Sequence, residues 1–201
     1  MDWNQQTLNT YDRSAKELAE YFKGIGARVK DIELGLKLSK AGSSAKVVEI
    51  GCGDGRDAQE IVKRVGWYEG FDPSTELLKL ARSKVSAASF VLADALTYNY
   101  PRGIDVIYAF ASLLHVNKSD LVKVFVKAAH SLKRGGIFYI SLKEKPSYVE
   151  EAKKDEYGER MFYFYHPTII NDLSHDYFQS LYEDHQTIGH TDWFTIALSK
   201  L

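Results

Sequence analysis

The chain holds one cysteine, Cys52, among 201 residues. No internal disulfide can form, and a disulfide-stapled secreted domain is excluded. It also lacks a surplus of basic charge: 26 Lys and Arg stand against 27 Asp and Glu, for a formal net charge of −1. Proteins that grip nucleic acid neutralise phosphates with such a surplus, so no nucleic-acid partner is expected. No apolar run approaches the roughly 18 to 20 residues of a bilayer-spanning helix. The opening Met1-Asp2-Trp3-Asn4-Gln5-Gln6 lacks the basic and then apolar stretches of a secretory signal. These absences predict a cytoplasmic protein without a membrane partner. Repeats and low-complexity linkers are missing too, and one well-buried domain over residues 1–201 is expected, as a monomer or homodimer.

What is present is ordinary globular composition, with 45% hydrophobic and 26% charged residues. Thirteen tyrosines and ten phenylalanines are the one oddity. The first forty residues read as helical. Tyr11, Ala15, Leu18, Ala19 and Phe22 form one stripe, a second helix runs from about Arg28 to Leu38, and a turn cluster ends the unit at residues 40–44. The period then changes. Short apolar runs at 47–50, 68–71, 90–93, 105–110 and 137–142 alternate with helical patterns that begin near Ala58, Ser74 and Leu121. Strands alternating with helices imply a doubly wound, Rossmann-like α/β fold with a mostly parallel sheet and helices on both faces. Beyond Leu142 the rhythm breaks. The charged stretch from Lys143 to Arg160 is expected to be a solvated helix, followed by an aromatic run at 161–165 and a short helix at 167–173. Two β-like segments, 178–187 and 193–198, predict an antiparallel hairpin at the sheet edge, completing seven strands.

The chemistry resides in Glu49-Ile50-Gly51-Cys52-Gly53-Asp54-Gly55-Arg56-Asp57, between the first strand and its helix. Glycines let the backbone turn sharply and approach a ligand closely, and ligands of open α/β sheets bind at this carboxyl end. Asp72, 21 positions after Gly51, stands where a carboxylate accepts hydrogen bonds from both hydroxyls of a ribose. A dinucleotide loop prefers GxGxxG, with pyrophosphate on the helix N-terminus; here the sixth position is Arg56. Glu49 and Asp54 in the loop repel pyrophosphate but suit the ammonium and sulfonium of S-adenosylmethionine (SAM). SAM is therefore favoured over NAD.

With these residues the sequence resembles the class I SAM-dependent methyltransferases, particularly the small free-standing ones acting on small molecules. Residues 48–55 match their glycine-rich first motif, and Gly70-Phe71-Asp72-Pro73-Ser74 the second. Ala93-Asp94-Ala95, residues 105–116 and Leu132-Lys133-Arg134-Gly135-Gly136 match the following ones in order. The likeness covers roughly residues 46–142, and residues 158–163 with the closing hairpin resemble the group's C-terminal part. It implies a helical cap at 1–43, a SAM-binding core at 44–145 and a substrate-side segment at 146–201. It further implies Gly51, Gly53, Asp72, Asp94 and Ala95 as cofactor contacts, with Phe110 near the reacting methyl and Glu49 orienting the loop or reaching the amino-acid part of SAM. The activity implied is methyl transfer to an O, N or S atom of a small-molecule acceptor. Other readings are a SAM-binding module without catalysis and an NAD-dependent oxidoreductase.

On the acceptor side, His115 overhangs the crevice after the fourth strand and is the candidate general base, against a bland role packing over the cofactor. Tyr11 could close over the site from the first helix, although the same ring fits that helix's apolar stripe. Tyr163 and Tyr165 could line an acceptor pocket, where aromatic faces suit an aromatic or cationic ligand; a strand with one buried face has the same pattern. His175, His185 and His190 with Asp176, Asp184 and Asp192 match no established metal spacing, and no metal is expected. Cys52 reads as a small packed side chain.

Overall fold

The computed structural model describes residues 3–201; the first two residues of the polar opening, Met1 and Asp2, lie outside the described residues. Five parallel strands, β1 (Lys46–Ile50), β2 (Trp67–Asp72), β3 (Ser89–Leu92), β4 (Ile104–Phe110) and β5 (Leu132–Lys143), are joined by antiparallel β8 (Phe178–Ile188) and β9 (Thr191–Lys200). The order across this seven-stranded sheet is β3-β2-β1-β4-β5-β9-β8. The order reverses between β1 and β4, which opens the crevice where ligands bind in such sheets.

Strand alternation divides the core. Val48, Ile50, Ile107, Ala109, Phe138 and Ile140 face α6 (Lys118–Ser131), whose Leu121, Val124, Phe125 and Ala128 form its buried side. Val47, Val106, Tyr108, Ile137 and Tyr139 face the opposite layer. That layer holds α3 (Val29–Ser39), α4 (Ala58–Ile61) and α5 (Thr75–Lys84). β4 is buried along its whole length, as a central strand covered on both faces requires. Local caps set the starts of helices: Ser74 Oγ accepts from Leu77 N at 3.1 Å and the Asn117 side chain from Asp120 N at 3.0 Å.

Three expected elements differ. The first stripe is two helices, α1 (Trp3–Arg13) and α2 (Ala15–Ile25), broken at Ser14. On α1 the fully buried residues are Thr7 and Thr10, not an apolar row, because this helix lies against backbone rather than core. The helix from Ala58 is regular only to Ile61. The charged stretch expected as a helix is instead the hairpin β6 (Val149–Asp155) and β7 (Gly158–Phe164), a separate two-stranded sheet. Its Glu and Lys residues carry helix propensity, but pairing with an aromatic strand outweighs it. The ammonium groups of Lys145 and Lys153 lie 4.3 and 4.9 Å from the Phe164 ring centre.

α1 is laid over the carboxyl ends of the strands and bonded at both sides. Toward the hairpin, Thr7 Oγ1 accepts from Met161 N (3.0 Å), while Thr10 Oγ1 and Ser14 Oγ donate to the carbonyls of Glu159 (2.8 Å) and Tyr157 (2.9 Å). Toward α5, Asp12 Oδ1 accepts from Ser74 Oγ (2.7 Å) and Glu76 N (3.2 Å). The remaining helix, α7 (Pro167–Ser174), connects β7 to β8 and starts with proline in its first turn.

Two glycines in the N-terminal helices give opposite expectations. A Cβ on Gly35 would stand 2.7 Å from the buried Tyr108 ring, whereas one on Gly24 meets nothing within 4 Å. Gly24→Ala should raise stability by up to about 1 kcal/mol through helix propensity. Gly35→Ala should lower it by about 1–3 kcal/mol through overpacking. Thermal melts of the two variants should move in opposite directions, by a few degrees each.

Candidate cofactor and acceptor site

The glycine loop leaves β1 through Gly51, whose φ is 67°. Its N–H and that of Cys52 donate to Phe71 O at 2.8 and 3.1 Å, so the loop folds over the end of β2. A Cβ at Gly51 would lie 2.3 Å from Ser112 Cβ; the positive φ and this close approach both demand glycine. Ser112 follows Ala111, a non-glycine residue at φ 55°, the kind of local backbone strain that gathers at functional sites. Nothing lies within 4 Å of a Cβ built on Gly53, so that side of the loop is open.

Asp72 closes β2 and is buried. Its Oδ2 accepts from Gly53 N at 2.9 Å and its Oδ1 from Ser74 N at 2.8 Å. Each oxygen keeps a second lone pair for another donor. Burial raises the carboxyl to about 6, against the two backbone N–H bonds that lower it. Glu49 turns into the core beneath the loop, where Tyr68 donates to Oε2 at 2.6 Å. Burial, with the Asp57 carboxylate second, pushes Glu49 up to about 8, so the group is protonated at neutral pH. The expectation that Asp54 faces the ligand is corrected: it is buried and ion-paired with Lys84 of α5. The neighbouring acid, Asp57, accepts from Arg28 N at 2.8 Å and pairs with Arg56.

Asp94 is exposed after β3, and its Oδ1 accepts from Leu96 N and Thr97 N at 2.7 and 2.8 Å. Ala95 is buried beside it, its carbonyl accepting from Tyr100 Oη at 3.1 Å. Phe110 ends β4 with the Arg28 guanidinium 5.6 Å from its ring centre.

On the acceptor side the structure brings His115 and Tyr11 together. His115 Nδ1 lies 2.6 Å from Met161 O and Nε2 lies 2.8 Å from Tyr11 Oη. The carbonyl can only accept, so Nδ1 carries the proton and Nε2 accepts from the tyrosine. Burial drives His115 down to about 3, which keeps the ring neutral. Arg160 Nη1 approaches Tyr11 Oη at 3.4 Å, and Arg160 pairs with Asp155.

Tyr163 and Tyr165 are a correction. Alternation along β7 turns them from this cluster: Tyr163 stacks parallel to Tyr148, and Tyr165 donates to Val116 O at 2.6 Å. The β7 residue that faces this cluster is Phe162, with its ring centre 4.9 Å from that of His115.

Sequence reasoning missed Arg28, Lys143, Arg160 and Trp193. The Lys143 ammonium lies 4.0 Å from the Phe162 ring centre and 5.7 Å from that of Trp193, and Arg28 lies 6.0 Å from Trp193. Lys143 and Trp193 are opposite each other in the β5–β9 pairing, and the hairpin that replaces the expected helix adds Arg160 and Phe162 beside them. Among the described residues, the buried side-chain atoms without a hydrogen-bond partner are Arg28 Nε, Ser112 Oγ, Ser141 Oγ, Arg160 Nε and Ser174 Oγ. Ser112 and Ser141 sit at the carboxyl ends of β4 and β5, while Arg28 and Arg160 flank that edge. Buried polar groups normally have partners, and four of these five atoms gather at this one end of the sheet. A cavity of about 520 Å³ lined by Leu36, Lys37, Lys40 and Arg64 lies instead near the amino ends of β1 and β2, away from this chemistry. Among the described residues, no group of three or more His, Cys, Asp or Glu is placed to hold a metal ion.

A Rossmann-like sheet with a GxGxG loop, an acid ending β2 and orphaned polar atoms around the crevice defines a nucleoside-binding class. Comparison with known proteins narrows it. Residues 47–136 match the family described as "Methyltransferase domain". Trans-aconitate 2-methyltransferase of Rhizobium rhizogenes is 27% identical over 117 residues, 55% of this chain and 45% of that protein. An uncharacterised methyltransferase of Geobacillus kaustophilus is 26% identical over 189 residues, 90% of this chain and 82% of that one. Among solved structures, the glycopeptide N-methyltransferase MtfA complexed with S-adenosylhomocysteine (SAH) superposes with a TM-score of 0.70 at 14% identity, covering 88% of this chain and 90% of that one. The [4+2]-cyclase SpnF reaches 0.77 at 14% identity, covering 98% and 96%. The match shows that residues 47–136 resemble a methyltransferase domain, and the superpositions show the fold shared with SAM-dependent methyltransferases. The chain spans about half the length, or less, of the trans-aconitate methyltransferases it matches.

The residues present fit SAM: an open cradle beside Gly53, spare acceptor capacity on Asp72 and the unpartnered Ser112 hydroxyl all suit an adenosyl amino acid. Glu49 also makes stability depend on pH. In the unfolded chain its carboxyl ionises near 4.5, but in the folded protein it holds its proton to about 8. The folded state therefore binds more protons over this window, and stability falls as pH rises through it. His115 acts oppositely: the unfolded ring protonates near 6.5 and the folded one near 3, so stability is lost as pH falls through that range. Glu49→Gln should gain melting temperature on the wild type between pH 5 and 8. His115→Gln should gain on it between pH 6.5 and 4. Differential scanning fluorimetry across pH checks both slopes.

Proposed function

We propose that the chain transfers the methyl group of SAM to a small-molecule acceptor, within the cytoplasm. The observation that carries this reading is Asp72: a buried carboxylate bonded to the glycine loop and to the start of α5, with lone pairs left for a ribose. In this reading Gly51 and Gly53 give the backbone approach, Glu49 supports the loop from below, and Asp72 accepts the ribose hydroxyls. Asp94 and Ala95 border the adenine, and Phe110 stands near the methyl. When bound, SAM supplies a methyl carbon activated by its sulfonium and a neutral thioether leaving group. The protein's task is then alignment and exclusion of water. α1 covers the crevice, while Tyr11, His115 and Phe162 face the acceptor.

The bonding of His115 suits positioning better than general-base work. Its one free lone pair already accepts from Tyr11, and a group near 3 takes up a proton poorly at neutral pH. His115 thus fixes the Tyr11 hydroxyl, which is the group presented to the acceptor. A small acceptor agrees with relatives whose name specifies a small molecule, trans-aconitate.

Calorimetric titration with SAH tests the cofactor half. Binding is expected in the wild type, and Asp72→Asn should weaken it about ten- to a hundredfold, since hydrogen bonds to a charged group contribute about 1.5–3 kcal/mol. Unchanged affinity in a folded Asp72→Asn protein contradicts the ribose assignment. Transfer of label from methyl-tritiated SAM to small molecules of a cell extract tests the activity.

Once an acceptor is in hand, Tyr11→Phe and His115→Gln should each lower kcat on the order of ten- to a hundredfold through misplacement. The double variant should be no worse than either single one, because the two act as a unit. Additive losses, or an undiminished His115→Gln rate, refute the positioning role.

A further inference from the structure

Cations surround the acceptor side of the crevice, and they are not all neutralised. Arg160, buried at 8% exposure, pairs with Asp155. Arg28 lies 3.6 Å from Asp31. Lys143 is the last residue of β5, and among the described residues its ammonium has no ion pair or hydrogen bond. Its ammonium meets only the rings of Phe162 and Trp193, at 4.0 and 5.7 Å from their centres. The same two rings carry Arg160 (5.4 Å from Phe162) and Arg28 (6.0 Å from Trp193). Three cations thus share two aromatic rings, with one positive charge left over.

Holding an ammonium among apolar rings and like charges is costly. Burial is the main cause that lowers Lys143, to about 8, with Lys153 and Arg160 adding to it and Asp155 and Glu151 opposing. A lysine on a solvated turn would simply extend into water. A bound sulfonium would add another positive charge to the same crevice, making the imbalance worse. An anionic acceptor removes it.

Resting on the methyltransferase reading above, we infer that the acceptor is a carboxylic acid whose carboxylate pairs with the Lys143 ammonium, its carbon skeleton lying against Phe162 and Trp193. Arg28 and Arg160 raise the local positive potential without giving up their own partners. The Arg160 Nε–H, buried and without a partner, is available to a second carboxylate oxygen or another acceptor atom of the ligand. A neutral or cationic acceptor finds no counterpart here, since the acids that act on Lys143, Asp155 and Glu151, are already engaged by Arg160 and by Lys145 and Lys153.

The test uses the full chain loaded with SAH and follows the fluorescence of Trp193. Benzoate and cinnamate are titrated against benzamide and cinnamamide, which keep the carbon skeleton and lose the charge. A Trp193→Phe protein identifies the signal. The acids should bind at least tenfold more tightly than the amides. Lys143→Gln should remove that preference and Lys143→Arg restore most of it, with SAH affinity within twofold of wild type in both. Equal binding of acids and amides, no binding of either acid, or a preference that survives in Lys143→Gln overturns the inference. SAH affinity is measured first, so failure of the cofactor reading shows itself separately, as a protein that does not load.

Discussion

The carboxylate of Asp72 is the tie on which this end of the molecule depends. Its oxygens hold Gly53 of the loop and Ser74 of α5 through backbone N–H groups, so three segments distant in sequence meet at one side chain. A buried carboxylate is expensive unless hydrogen bonds compensate it, and here two do. Ser74 in turn caps α5 with its hydroxyl while donating to Asp12 of α1. The covering helix is thereby coupled to the same point. A ligand bonding Asp72 would touch the loop, the neighbouring helix and the cover at once.

The other side of the cover depends on hydroxyls. Thr7, Thr10 and Ser14 bond the backbone of β7 and its turn, doing for that edge what another strand would do. Exposed strand edges need such protection. Each bond contributes only about 0.5–1.5 kcal/mol net, and little apolar surface accompanies them on α1. The cover is therefore attached by several weak polar contacts rather than by a core, which distinguishes it from the layers packed on the main sheet.

That contrast also explains what was legible in the sequence. Runs such as Val47-Val48-Glu49-Ile50 and the α6 stripe carry strong periodicity because a central strand or a helix packed on one face must show it. The seven-stranded arrangement, the glycine loop and Asp72 followed from that signal and from position. The hairpin did not, because Glu150, Glu151, Lys153 and Lys154 have the composition of a solvated helix. Their pairing is decided by the aromatic partners on β7, a tertiary effect that local propensity does not contain. A helix over 143–160 would leave Arg160 far from His115, whereas the hairpin brings it within reach of Tyr11. The aromatic run of β7 is visible in the sequence, but which alternate residues face inward depends on register against β6, and Phe162 rather than Tyr163 faces His115.

The two halves of the site follow different electrostatic rules. Beneath the cofactor loop the titrating groups are acids pushed upward by burial, Glu49 to about 8 and Asp72 to about 6, so that at neutral pH Glu49 is neutral and Asp72 carries the negative charge. On the acceptor side, His115 and Lys143 are pushed downward, to about 3 and about 8, so that His115 is neutral and Lys143 carries the positive charge. The carboxyl ends of the strands thus carry opposite charges, Asp72 ending β2 and Lys143 ending β5. The fold alone does not choose between chemistries, since proteins of this architecture include both an N-methyltransferase and a cyclase. The separation of sign along the strand ends is a property of these particular side chains. It fits the proposed pairing of a sulfonium donor beside Asp72 with a carboxylate acceptor beside Lys143, because each reactant then lies in the field that favours it.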